Sequence, residues 1–587
     1  MLYIVMTDMY MRTVKARGGR GVQYQYIRLV ESYRENGHTR QRVVLNLGRK
    51  DILAPHLDSL VRILQGEGEA DKWARVADVF PDDGACWGPA LAAGTLWRGL
   101  DLDTILDICE DGGERRQSAL LADRALVLVT HRLCGPGSEH GLAEWLDTDY
   151  VCDRQGRRWL PPWEEHGRVK VNRSWLQRWY RTLDELLKHK EEIEQALYLR
   201  LRDMFSLQAE MVLYDLTSVY FEGRGPQELA EYGYSRDEKP RQRQLLVGVV
   251  MVNGWPIAHH VFPGNETDAA TVRRVVQDLE RRFGLKRVVF VGDRGMVTTD
   301  NIDWLRQRGH GYLVGLHRRR REEICRYIEK ATGPWLECPM AIQGTERKNA
   351  PKTRVQEVQG EEPGVRVFVV CSEERLAYER AMRETAMRPT QVALEKLARR
   401  VAKGKLKAPE KIGAAAARIL SRHHGQRYFG WKLEEGVFQY FEHPNLEREK
   451  AFEGKYLIQT EEKGLTPVEA VQAYKELSEV EQGFRQLKDV IGMRPIYHRN
   501  GQRVQGHIFV AALALLLQRA LEKKLKAAGV GLSAAAALKA LRNVLVVDIK
   551  VGAGHKRGVT TGRQRARQVL TALGIGHLSA PSGTEKT

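Results

Sequence analysis

The sequence predicts an α/β protein: a mixed sheet flanked by helices, interrupted by an inserted mixed β/α segment and preceded by a mainly helical region. Three observations carry this reading. From about residue 208, short apolar β-like runs alternate with amphipathic stretches. Between about 90 and 207 the apolar residues recur at helical spacing. A single carboxylate, Asp215, stands in the middle of the most apolar β-like run.

A chain of 587 residues exceeds one core, so several domains are expected. The spacing of patterns divides it into a small basic β-containing region over 1–75, a helical region over 76–207, a core in two parts over 208–320 and 456–560, an insertion over 321–455 between them, and a basic, polar tail over 561–587. A net charge of +18 points to an acidic polymer as partner, nucleic acid first among them. The 7 cysteines are scattered and contain no Cys-x-x-Cys pair, which supports neither a disulfide framework nor a zinc knuckle and fits a reducing cytoplasm. The longest apolar run, 508–517, falls short of the ~20 residues that span a bilayer and reads as a buried helix.

In order, 23–31 and 41–47 read as strands of a hairpin turning at Glu35-Asn-Gly37, with Arg17, Arg20, Arg28, Arg34, Arg40 and Arg42 making the segment basic. Residues 119–133 read as a helix, broken by Gly135-Pro-Gly-Ser138, with Ser138 capping a second helix over 139–146; the pair is compatible with a helix-turn-helix. Residues 172–204 read as one or two long helices. Then come strands at 211–221, 244–252 and 255–262, the last two joined by the hairpin dipeptide Asn253-Gly254. A helix over 269–283, a strand at 287–292, a helix over 301–308 and a strand at 312–316 follow. The order β-β-β-α-β-α-β is that of a ribonuclease-H-like core, a meander followed by strands joined through helices.

The insertion has β-like pieces at 365–371 and 436–441 around a very basic helical stretch, and 453–460 reads as a strand returning to the core. Thr466-Pro-Val-Glu469 opens the next helix with a cap, a proline at its first position and a glutamate at its third. Leu477, Val480, Phe484, Leu487 and Ile491 form its buried stripe, and Tyr474, Glu481, Arg485 and Lys488 share a flank that suits the border of a groove or a charged surface ladder. A cationic cluster, Arg494, His498, Arg499, Arg503 and His507, precedes the apolar helix 508–521.

An ionised carboxylate on an apolar strand is costly unless paired or bound to a metal. For Asp215 both an arginine partner and a hard divalent cation are open on that ground. Asp293 closes a second strand and Glu481 lies on a helix, and sites in α/β sheets collect near the carboxyl ends of strands. Three convergent carboxylates without His or Cys favour Mg²⁺ or Mn²⁺. Two such ions activate a water or a 3′-hydroxyl at a phosphodiester. Lys488, Arg485 and Tyr474, with the cluster Arg494, His498, Arg499 and Arg503, are the candidate DNA contacts.

These residues resemble bacterial insertion-sequence transposases of the DDE type, in the branch with a β-rich insertion before the glutamate. The resemblance rests on Tyr214-Asp-Leu-Thr-Ser-Val-Tyr-Phe-Glu222, Gly264-Asn-Glu-Thr-Asp268, Val291-Gly-Asp-Arg-Gly295, Tyr474-Lys-Glu-Leu-Ser-Glu-Val-Glu481-Gln-Gly-Phe-Arg485-Gln-Leu-Lys488, Arg494-Pro-Ile-Tyr-His-Arg499 and Glu31-Ser-Tyr-Arg-Glu-Asn-Gly37. It implies that Asp215, Asp293 and Glu481 are the catalytic, metal-binding triad, with two Mg²⁺ or Mn²⁺ ions. It implies an N-terminal region that binds terminal inverted repeats, cut-and-paste cleavage and strand transfer on double-stranded DNA, a homodimer that joins two ends, and a cytoplasmic, nucleoid-associated location. In the branch's Tyr-x-x-Arg-x-x-x-Glu-x-x-x-x-x-x-Lys signature the arginine position is Leu477 here, and Arg485 is the candidate substitute. Trp335 and Trp431 fall in the insertion, where stacking on a flipped base competes with core packing. The alternatives are a metal-dependent nuclease or resolvase on the same core, and a catalytically inactive DNA-binding relative.

Overall fold

The computed structural model describes residues 8–17, 23–35, 37–56, 79–111, 120–162, 171–205, 211–293, 295–296, 298–316, 321–339, 351–551 and 554–581. The chain forms two compact units, Met1–Asp83 with Val547–Gly558, and Gly84–Val546 with Val559–Thr587.

The first unit is built from strands. β1 (Asp8–Arg17), β2 (Gln23–Glu35) and β3 (His38–Arg49) form an antiparallel meander. β4 (Val79–Cys86) belongs to a second three-stranded sheet with two strands from near the C-terminus, Leu545–Val551 and Gly554–Val559. The expectation of a mainly helical N-terminal region is therefore corrected: its beginning is β-rich. Alternating Tyr24, Tyr26, Arg28 and Val30 suit a pleated, half-covered surface, and the strands run further into the turn than the apolar residues alone indicate. Glu35 pairs with His38 across the turn at Gly37, where φ is +79° and glycine carries no steric cost.

In the second unit helices begin at α1 (Gly88–Gly99) and continue through α2 (Leu102–Asp111), α3 (Leu121–Cys134), α4 (Leu142–Thr148), α5 (Arg173–Lys188) and α6 (Lys190–Phe205). The expected helix-turn-helix does not present a DNA-reading face. Every residue from Leu121 to Leu133 is buried. α4 starts three residues later than the expected helix over 139–146, and its exposed residues are Glu144, Asp147 and Thr148, the wrong charge for a phosphate backbone. Glu139, expected in that helix, is buried against histidines instead.

The central sheet has β5 (Met211–Tyr220), β6 (Gln244–Val252), β7 (Trp255–Pro263), β8 (Val289–Gly292) and β9 (Gly311–Gly315), with α7 (Asp268–Phe283) and α8 (Thr299–Gln307) as crossovers. β5, β8 and β9 are parallel, and β6 and β7 extend the sheet as an antiparallel meander. Asn253 and Gly254, with φ of 50° and 75°, make the tight turn between β6 and β7. Thr298 caps α8 by accepting from the Asn301 N–H.

The insertion departs from expectation in where it leaves the core. β10 (Leu336–Cys338), β11 (Thr353–Gln359) and β12 (Arg366–Ser372) join the same sheet through β15 (Lys455–Thr460), giving the nine-strand order β10-β11-β12-β15-β9-β8-β5-β6-β7. Val367, Phe368, Val369 and Val370 are buried on both faces of β12, which is why the strand sits inside a sheet. Beyond it, α9 (Glu373–Ala402) and α10 (Pro409–Ser421) pack on the hairpin β13 (Phe429–Glu434) and β14 (Val437–Glu442) around a core of their own. Trp431 stacks on Phe438 there, and Trp335 packs beneath β11 and β12.

The glutamate helix begins at α11 (Pro467–Lys475) with a complete capping box between Thr466 and Glu469. It is interrupted at Glu476, resumes as α12 (Leu477–Arg485) and ends in a π turn over Gln486–Val490. All five stripe residues from Leu477 to Ile491 are buried. α13 (Gly501–Ala527) is long and apolar enough to cross a membrane, but its apolar window is almost entirely buried against the sheet and the N-terminal helices.

Candidate active site

The parallel register of β5 and β8 pairs Met211 with Val289, Val212 with Phe290 and Leu213 with Val291. Asp215 lies on β5 two residues beyond the last of these pairs, and Asp293 follows directly after the end of β8. α12 packs on β5 and carries Glu481. The three carboxylates share an electrostatic environment. Asp215 is raised to about 7 by burial first, with the Asp293 and Glu481 carboxylates adding to the rise and the Leu216 N–H at 2.8 Å and the Arg236 charge opposing it. Glu481 is raised by burial and by Asp293, with Arg485 opposing.

Among the described residues, the groups whose ligand atoms all lie within 4.8 Å of one another are Cys109 with His189 and Glu192, and Glu139 with His498 and His507. The three carboxylates are not drawn together that tightly, in keeping with their mutual repulsion. Their chemistry fits a hard divalent ion: the donors are oxygens only, Asp293 raises both Asp215 and Glu481, and Glu481 raises Asp215, a repulsion that a cation relieves.

On the flank of the glutamate helix Tyr474 and Lys488 are half-buried, while Glu481 and Arg485 are exposed. The Tyr474 ring lies 6.0 Å from that of Tyr456. The Lys488 side chain is 9% exposed and donates to Asp237 Oδ1 at 2.8 Å, and burial lowers its pKa. Arg494 bridges Asp237 at 2.5 Å and Asp489 at 2.6 Å. His498 faces Glu139 at 3.4 Å and crosses the Tyr180 ring edge-on. Arg503 lies over Tyr180, 3.6 Å from Asp184. Arg485 and Arg499 are exposed. The segment around Ile496 adds to the C-terminal end of β5: the Ile496 N–H donates to Tyr220 and the Glu222 N–H to Ile496. Leu477, at the signature's arginine position, is buried in the apolar stripe.

Two residues escaped the sequence reading, Arg236 and Asp237. They lie in the charged connection between β5 and β6, a stretch without periodicity. The available signal was an acid beside a base in a loop that carries both signs of charge.

Residues 208–517 match the family described as the transposase DDE domain. The chain belongs to the DDE transposase family. Residues 11–72 match the IS1634 family transposase N-terminal domain, which makes it an insertion-sequence transposase. No curated protein matches the chain. The family gives the transposase a DNA substrate and a requirement for divalent metal ions.

Proposed function

We propose that this transposase cuts its element from DNA and inserts it elsewhere, on a ribonuclease-H-like core, with Asp215, Asp293 and Glu481 as the catalytic triad. What supports this reading is the coupling of three carboxylates: Asp215 on β5 is raised by Asp293, which follows the neighbouring parallel strand, and by Glu481, on the helix that packs on β5. The three carboxylates hold the divalent ions, two Mg²⁺ or Mn²⁺, which when bound activate the nucleophile and stabilise the leaving oxygen. In cleavage, a water oxygen bonds to phosphorus, the P–O3′ bond breaks, the water loses a proton and the 3′-oxygen gains one. In transfer, that 3′-oxygen bonds to a target phosphorus and the target P–O3′ bond breaks.

Arg485 and Arg499, both exposed, hold backbone phosphates, and Arg494 borders the same end of β5. The N-terminal meander binds the inverted repeats, and two copies hold two ends together. The test is substitution. Asp215→Asn, Asp293→Asn and Glu481→Gln each abolish cleavage of an end duplex while binding persists; wild-type cleavage in any of them removes that residue from the triad. Pre-cut ends supplied with target DNA give joined products, and cleavage without joining reduces the enzyme to a nuclease.

A further inference from the structure

Arg236 is placed against both aspartates' supports. Its backbone N–H donates to Ser218 Oγ at 2.9 Å, three residues along β5 from Asp215. One of its Nη atoms donates to Asp268 Oδ2 at 2.6 Å. That same oxygen lies 3.6 Å from where a Cβ on Gly295 would stand, so the guanidinium sits beside the Asp293–Gly295 turn. Arg236 is thus fastened to the strand that carries Asp215 and held near the turn that carries Asp293. Its charge lowers the Asp215 pKa and, on the other side, that of Lys488, which brackets it between the carboxylates and the Lys488–Asp237 pair. The side chain is a quarter exposed, and a guanidinium has five N–H donors, of which Asp268 takes one.

We propose that Arg236 binds the scissile phosphate of the DNA, with Asp268 as its positioning residue. This rests on the assignment of the triad above. A planar fork beside carboxylates has one chemical use when DNA enters: it donates to the non-bridging oxygens of the phosphate that the triad attacks and balances charge there as the new P–O bond forms and the P–O3′ bond breaks. Asp268, at the first turn of α7, fixes the fork's plane.

The experiment compares wild type, Arg236→Gln, Arg236→Lys, Asp268→Asn and Asp215→Asn on a duplex carrying the element's terminal repeat. Binding is measured against salt with Ca²⁺ present, and single-turnover cleavage with Mg²⁺. Arg236→Gln is expected to cleave at least tenfold more slowly, and its log–log salt slope to fall by about 0.9, the loss of one phosphate contact. Arg236→Lys keeps the slope and loses several-fold in rate because a lysine has no planar fork. Asp268→Asn keeps the slope and slows cleavage less than Arg236→Gln. A purely structural Arg236 leaves the slope unchanged, and that result, or wild-type cleavage in Arg236→Lys, overturns the proposal. If Arg236→Gln does not fold, Arg236→Lys decides on its own. Cleavage by Asp215→Asn sinks the triad itself; its loss there with Arg236 variants unaffected sinks only the role of Arg236.

Discussion

Lys488 and Asp237 form an ion pair at 2.8 Å with side chains 9% and 5% exposed, linking the π turn after the glutamate helix to the β5–β6 connection. Asp237 Oδ1 also receives Arg494, while its Oδ2 is buried with no hydrogen-bond partner among the described residues. Removing one member of a buried pair leaves the other charged and desolvated.

Asp237→Ala is therefore expected to destabilise the second unit by about 3 kcal/mol, read as a lower urea midpoint at unchanged slope. Asp237→Asn keeps the shape and should cost less. Equal midpoints for Asp237→Ala and wild type would show that solvent reaches the pair freely.

Divalent ions should stabilise the fold through the triad. Binding to the native state alone raises stability by RT ln(1 + [L]/Kd), about 2.7 kcal/mol at a hundredfold excess over Kd. Mg²⁺ titration without DNA should raise the melting temperature of wild type and leave that of Asp215→Asn nearly flat. Equal shifts in both would place the ion elsewhere, the cluster of Glu139, His498 and His507 being the first place to look.

Much of the core was readable because β5, β6, β8 and β9 are continuous apolar runs ended by turn residues, and because Thr466, Pro467 and Glu469 mark a helix start by their own chemistry. Asp215, Asp293 and Glu481 stood out as carboxylates on otherwise apolar or amphipathic elements. What escaped depends on pairing across distance. Lys488 and Asp237 are 251 residues apart, and no local pattern predicts that a loop acid buries a helix lysine. Helical phase placed Lys488 beside a groove; the β5–β6 connection then covered it. The stretch holding β10 to β12 reads as a separate insertion because its membership of the central sheet is set by β15, which arrives more than eighty residues after β12.

Leu477 occupies the position of the signature arginine, yet it is 8% exposed within an apolar stripe. Leu477→Arg is expected to lower stability by about 2 kcal/mol or more, because the charge enters the core or drags its helix outward. It should not strengthen DNA binding. Arg485→Gln, an exposed change, should instead leave the melt unaltered and reduce the salt slope of end binding. A gain in end affinity for Leu477→Arg would contradict the packing described here.

Acid should unfold the second unit through its buried histidines. Burial, reinforced by Arg132, pushes His507 down to about 4, and burial with Lys190 does the same to His259, from an ordinary 6.5. Between about 6.5 and 4 the unfolded chain binds more protons than the native one, so stability falls as pH falls through that window. Glu139 and Glu194 are held well below the ordinary range against their burial, Glu139 by hydrogen bonds from His498 and His507 and Glu194 by the Lys190 charge and a hydrogen bond from His259. The stability they give is present above about 4.5 and is lost on further acidification. Urea midpoints at pH 7, 5.5 and 4.5 should decrease in order, less steeply in His259→Gln; a flat series would remove the histidines as the cause.

Gly248 gives the most local test of how β5 is held. It pairs with Leu216 across β5 and β6, and a Cβ there would lie 2.6 Å from the Tyr214 hydroxyl and 2.7 Å from the ring carbon Cε2. Tyr214 is fully buried and donates to Thr271 Oγ1 at 3.0 Å, pinning β5 to α7 one residue before Asp215. A Cβ that close forces Tyr214 to shift or the two strands to spread. Overpacking of this kind costs about 1–3 kcal/mol. The displaced strand carries Asp215, so cleavage should fall by more than the folded fraction accounts for, with end binding retained. The double variant Gly248→Ala, Tyr214→Phe removes the hydroxyl that the new methyl meets and should recover part of both losses; no recovery would place the strain in the backbone rather than at the tyrosine.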